Sequence, residues 1–371
     1  MNCDGAVLAP SPGRDEPLPA FFRATPVLTW GGALLAAVMT AHPAAALTIT
    51  PLFDSSIVGA ADQTEVESAI NAAIGTIESL YTNPGTVGIV FSQANGNFVG
   101  QSETADYTAN YANYTAALTA VSQAEPTNTV LSTAVANLSS GNQPGAGGSM
   151  LLTSADARVA LGATNATGCF NSVGTFVSSC GQVYDGLVTL TDNPSVPLNY
   201  GKTAVGGAYS AIDAMEHEIN EILGGGGQGS TLNEIVFCLA NPTNADCVAN
   251  GNYANDRGVL DLYRYSAPGA ASFSTSDTVT SYFSVDGGVT DIVGFNQDSS
   301  GDLADFSTCD NVQSAFSCSG ISATYDVGSP EYDMLESIGY NGVPEPASLM
   351  LLAGGFAGLA MMRRRQVRKV Q

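Results

Sequence analysis

The 371-residue chain carries 11 Lys and Arg against 34 Asp and Glu, a formal net charge of −23, and only 12% of its residues are charged. That balance excludes a nucleic-acid binder, which needs clustered basic residues to neutralise phosphates, and argues against docking on anionic lipid. Between residues 47 and 342 only Arg158, Lys202, Arg257 and Arg264 remain against 30 of the acids, so the body is near −26 and is a natural sink for cations.

In chain order, residues 1–46 read as an N-terminal extension and a secretory signal peptide. Arg23 precedes an apolar run over 26–40, and Ala44-Ala45-Ala46 offers a small-residue cleavage site. The mature body, 47–342, opens on Asp62-Gln63-Thr64-Glu65, an acidic variant of the capping box. Val66, Ile70, Ile74, Ile77 and Leu80 then follow at helical spacing. Asn83-Pro84-Gly85 ends that helix, and the β-branched run 86–92 predicts a strand. Two helices are expected within 103–140, split at Glu125-Pro126, then a loop over 141–148 and a strand at 187–190. A helix over 206–223 stops at four glycines, 224–227. Beyond it turn residues are dense until a last helical pattern at 332–338. The expected class is α+β, with an irregular C-terminal half.

The six cysteines of the body fall as Cys169 and Cys180, Cys238 and Cys247, and Cys309 and Cys318. Close couples in an exported chain read as three local disulfides, although spacing alone leaves their connectivity open. Each would contribute about 2–3 kcal/mol by restricting the unfolded chain. The two-residue gap of a zinc knuckle is absent, which argues against thiolate metal sites.

The helix over 206–223 carries the chemistry. Ile212, Met215, Ile219 and Ile222 form an apolar stripe, with His217, Glu218 and Glu221 on the other side. His217 is the one histidine between residues 47 and 342. Glu218 and Glu221 lie towards the helix C-terminus, where the macrodipole disfavours anions, and no Lys or Arg offsets them. Three carboxylates, Glu216 included, and one imidazole without a basic partner are short of a cation.

Other signals are weaker. Gly201-Lys202-Thr203 lacks the earlier glycine of a phosphate loop, since position 196 is valine. The turn-rich cluster of Asp298, Asp302 and Asp305 suits calcium or a solvated loop, without EF-hand spacing. Tyr263 and Tyr265 read as core tyrosines.

His217-Glu218-x-x-Glu221-x-x-Gly224 resembles the zincin helix H-E-x-x-H-x-x-G of metzincin-like proteases, with glutamate at the second ligand position. The resemblance implies a zincin-like mixed sheet with an active-site helix. It makes His217 and Glu221 metal ligands, Glu218 the general base acting on water activated by the metal, and Gly224 the turn. The stretches 261–269, 282–288 and 332–340 also resemble a group of metalloproteases that carry PEP-CTERM tails. The third-ligand position of the motif is Gly227, which has no side chain, so a more distant carboxylate is expected: Asp261 first, with Asp256 and Glu234 as alternatives. The implied cofactor is zinc or another divalent metal, and the implied substrate a peptide or protein.

Residues 343–371 open on Val343-Pro344-Glu345-Pro346, continue through an apolar segment over 347–362 and end in Arg363-Arg364-Arg365. This tail resembles the PEP-CTERM sorting signal. It implies processing by an exosortase and export to the surface of a Gram-negative bacterium, with the apolar segment held briefly in the inner membrane. The competing expectation is a noncatalytic matrix or adhesion protein of the exopolysaccharide layer, loaded with calcium.

Overall fold

The computed structural model describes residues 46–138, 140–163, 169–172, 174–177 and 184–343. Residues 1–45 of the expected signal-peptide region, Cys180 and the tail from Pro344 on, with Glu345 and Pro346, lie outside the described residues.

The class is α+β, as expected. Strand β1 (Leu47–Phe53) turns Leu47 and Ile49 inward, and helix α1 (Gln63–Leu80) buries Val66, Ile70, Ile74, Ile77 and Leu80 at the predicted spacing. The acidic capping box does not form, because Asp62 makes no side-chain cap bond. Its carboxylate accepts instead from the Tyr200 hydroxyl at 3.0 Å. Strand β2 (Gly85–Ala94) is buried continuously from Val87 to Phe91, as suits a strand with a parallel neighbour on each side.

Residues 100–109, partly assigned to a helix by their pattern, form two strands, β3 (Gly100–Thr104) and β4 (Asp106–Ala109). Thr104, Tyr107 and Thr108 favour extended backbone. The helix waits for Asn110, whose side chain accepts from the Asn113 amide and caps α2 (Tyr111–Ala124). Asn128 caps α3 (Thr129–Ala136) in the same way.

Strand β5 (Met150–Thr153) pairs antiparallel with β4, and Arg257–Gly258 joins its other side in parallel. Strand β6 (Gly186–Thr191) completes the main sheet, whose order is β1-β2-β6-β3. The first three strands are parallel and β3 runs antiparallel at the edge. Helix α4 (Ala211–Ile222) packs against α1, β3 and β6. Ser210 caps it, accepting from the Asp213 amide.

The second half is less irregular than its turn-rich sequence suggests. Helices α5 (Leu232–Ala240) and α6 (Ala245–Ala249) are too short to give a periodic signal, and a small four-stranded sheet surrounds Arg264–Ala267. The bond Cys238–Cys247 joins α5 to α6, and Cys309–Cys318 closes a surface loop. Of the third expected pair, Cys169 with Cys180, Cys180 falls outside the described residues. Tyr263 and Tyr265 are buried in the core.

Helix α7 (Pro330–Ser337) closes the body. After it the chain returns to the end of α1, where Tyr81 bridges Gly342 and the Val343 amide donates to the Leu80 carbonyl at 2.8 Å. Among the described residues no helix is long and apolar enough to cross a membrane.

Candidate metal centre

The expected polar face of α4 is not a solvated one. Ile212, Met215, Ile219 and Ile222 are buried as predicted, but Glu218 and Glu221 are only 6% and 3% exposed. Strand β3 crosses over them. A Cβ built on Gly100 would lie 2.6 Å from Glu218 Oε1, and the Ser102 hydroxyl donates to Glu221 Oε2 at 2.5 Å. Burying charge in this way is costly unless a compensating charge is supplied.

At its C-terminus α4 breaks at Gly224, whose φ of +100° places it in the left-handed region that favours glycine. The chain then doubles back over the helix end. There the Gly227 amide donates to Glu221 Oε1 at 3.1 Å and to Asp305 Oδ1 at 2.8 Å. A Cβ at Gly227 would sit 2.6 Å from Asp302 Oδ2 and 2.7 Å from Glu221 Oε1. The position that holds the third ligand in the motif is therefore empty of side chain, and carboxylates from a distant loop occupy that space.

His217 projects into the same cluster. Its Nδ1 lies 3.0 Å from the Val312 carbonyl, which can only accept, so Nδ1 carries a proton and Nε2 faces the acids. Nε2 is 3.4 Å from Asp305 Oδ2 and 3.7 Å from Glu221 Oε1. One potential ligand atom from each of His217, Glu218 and Glu221 lies within 4.8 Å of the others, and so does one from each of Glu221, Asp302 and Asp305. Asp305 is braced by Gln313, whose Nε2 donates to Oδ1 at 3.0 Å, and Asp302 by Asn233 at 2.7 Å.

The electrostatics follow from this crowding. Burial pushes the Glu218 carboxyl well above its ordinary range, and Glu221 beside it adds to the effect. Burial, then Asp305 and Glu221, do the same to Asp302. Burial opposes the His217 imidazolium, but Asp305, Glu221 and Glu218 outweigh it and hold that ring protonated well above its usual range. Glu218 has no hydrogen-bond partner among the described residues although it is more than nine-tenths buried. One imidazole and four carboxylates with no Lys or Arg partner among them fit a divalent cation.

The structure separates Asp261 from this cluster. Its carboxylate accepts from Ser230 Oγ (2.5 Å), from the Thr231 amide and hydroxyl (3.1 Å each) and from the Gly258 amide (2.8 Å). It clips two loops together and belongs to neither group of converging donors. Asp256 is bound to the Ser149 amide at 2.7 Å, and Glu234 belongs to neither group of converging donors. The donors that do converge, Asp302 and Asp305, belong to the acidic stretch that reads in sequence as a calcium or solvated loop. No spacing rule links them to a helix some 80 residues earlier. Ser102, Gln313 and the Val312 carbonyl give no sequence signal at all.

Comparison with known families finds the PEP-CTERM protein-sorting motif at residues 342–365. That match implies processing by an exosortase and points to export and surface sorting in a Gram-negative bacterium. It covers the tail alone, and the zincin resemblance of α4 has no counterpart in it. No curated protein and no solved structure matches the chain.

Proposed function

We propose that the body is an exported metal-dependent peptidase, with His217, Glu221 and Asp305 as ligands and Glu218 as general base. The observation that carries the reading is the approach of His217 Nε2 to Asp305 Oδ2 at 3.4 Å and to Glu221 Oε1 at 3.7 Å, with Glu221 shared by both groups of clustered donors. Donors bound about 2.0–2.1 Å from a tetrahedral ion stand about 3.3 Å apart, close to both of these separations. Zinc suits the set, and the excess of oxygen donors extends it to harder divalent ions.

A bound divalent cation would polarise the scissile carbonyl and make the attacking water more acidic. The protein supplies the rest. Glu218, buried beside the cluster, takes the proton from the water and returns it to the leaving amine. Ser102 and the Gly227 amide hold the Glu221 carboxylate in one orientation, and Val312 fixes the imidazole tautomer. Strand β3 lies beside Glu218 at the edge of the sheet formed by the described residues, a place where an extended peptide would pair as an added strand.

The oxygen-only group Glu221, Asp302 and Asp305 favours a second reading, a calcium-holding noncatalytic protein of the exopolysaccharide matrix. Metal analysis of the purified chain, then casein hydrolysis with and without chelator, separates the two. The peptidase carries one transition metal per chain and loses its activity in chelator. Calcium alone, or no hydrolysis by the zinc-loaded chain, rejects it.

A further inference from the structure

The Cys309–Cys318 disulfide closes a loop that supplies two of the supports of the candidate centre. Within it, Val312 offers the carbonyl that accepts from His217 Nδ1, and Gln313 donates through Nε2 to Asp305 Oδ1. Gln313 is fully buried and tied on three sides. Its Oε1 accepts from Asn220 Nδ2 of α4 at 2.7 Å, and its amide donates to Glu331 Oε1 of α7 at 3.0 Å. Backbone bonds from the Phe306 amide to the Gln313 carbonyl (2.7 Å) and from the Ala315 amide to the Phe306 carbonyl (3.0 Å) set the loop against the segment bearing Asp305. A cleft of about 30 Å³ separates the loop from the start of α4, lined in part by Ser210, Asp213 and the two cysteines. That is room for a water rather than a ligand, so the loop is a support and not a pocket.

We propose that the loop 309–318 is the positioning element of the metal centre, and that the centre reaches full affinity only once Cys309 and Cys318 are joined. The inference rests on the metal-centre reading above. His217 and Asp305 sit on separate parts of the chain, and this loop fixes the bearing of one to the other. Outer partners of metal ligands typically set affinity over a 10–100-fold range. The two thiols form the bond by exchange with a disulfide carrier of the cell envelope. The carrier's disulfide accepts two electrons and two protons to become a dithiol, while the chain's two thiols become one disulfide. A chain bearing the export signal at its C-terminus would thus take up metal tightly after export and weakly before it.

The second disulfide is a matched control, since Cys238–Cys247 and Cys309–Cys318 each span nine positions. The test titrates the full chain with Co²⁺, following its visible absorption, with Zn²⁺ as competitor and far-UV circular dichroism as the measure of folding. Cys309→Ser with Cys318→Ser is expected to weaken Co²⁺ binding 10–100-fold and to change the absorption band, while Cys238→Ser with Cys247→Ser leaves both unchanged. Gln313→Leu, which keeps the disulfide, should give a loss of the same order. Equal affinity and an unchanged band in the folded Cys309/Cys318 double variant overturn the proposal. If that variant does not fold, Gln313→Leu decides by the same criterion. An intact chain that binds neither ion rejects the metal centre itself, and with it the role of the loop.

Discussion

Two buried aspartates meet opposite surroundings. Asp261 receives four hydrogen bonds, from Ser230, Thr231 and Gly258, and Arg264 lies close enough to favour its charge. Asp305 receives two, and its remaining oxygen faces the imidazole of His217 across 3.4 Å. The first is a finished structural joint. The second belongs to a group with more negative charge than the protein neutralises. In a chain this acidic, the useful question about a carboxylate is how many donors already reach it.

The largest expected effect falls on Glu218. Replacement by Gln keeps size and packing but removes the base, so kcat should fall about 10²–10⁴-fold with metal content unchanged. A matching loss of metal would instead make Glu218 a ligand.

Next come the two aspartates. Asp305→Asn should weaken Zn²⁺ binding at least about tenfold, whereas Asp261→Asn should leave binding intact and lower stability by about 1–3 kcal/mol through unpaired loop donors. Competition titration and denaturant unfolding read the two arms, and reversed outcomes would break the contrast.

A third effect is on pH. Burial pushes Glu216 up to about 8, and also Glu234 to about 8 and Asp106 to about 7. Each of these groups holds its proton more tightly folded than unfolded. In the window between the ordinary carboxylate range and pH 8 the folded chain therefore binds more protons, and stability falls as pH rises. Thermal unfolding in chelator should give a higher Tm at about pH 5.5 than at about pH 8.5. Added Zn²⁺ should raise the Tm more at the higher pH, where the ligands lose their protons more readily.

The smallest expected effect is at Gly227. Alanine there would press on Asp302 and Glu221, costing about 1–3 kcal/mol and reducing metal affinity without abolishing it. A Gly227→Ala variant that binds metal as tightly as the parent would show that this crowding is easily relieved.

Much of the architecture is legible in the residues. The 3.6-residue period of α1 and α4, the β-branched run of β2 and the proline break after α2 all reflect local physics. Strands β3 and β4 are not legible, because short polar segments become strands only when a partner such as β6 or β5 is present. At the site, His217, Glu218 and Glu221 are readable since one helix carries them at fixed spacing. Asp305 is not, because its approach depends on a glycine turn and a disulfide-closed loop that no spacing rule encodes. The empty position at Gly227 is nevertheless a clue, for a missing side chain marks where another part of the chain must arrive.

The fastening of the last described residues to the end of α1 bears on what loss of the sorting tail would do to the domain. Gly342 and Val343 are pinned beside Tyr81 and Leu80, immediately before Pro344. A cut anywhere downstream of that clasp spares these backbone bonds. The address can be torn off and the envelope stays shut.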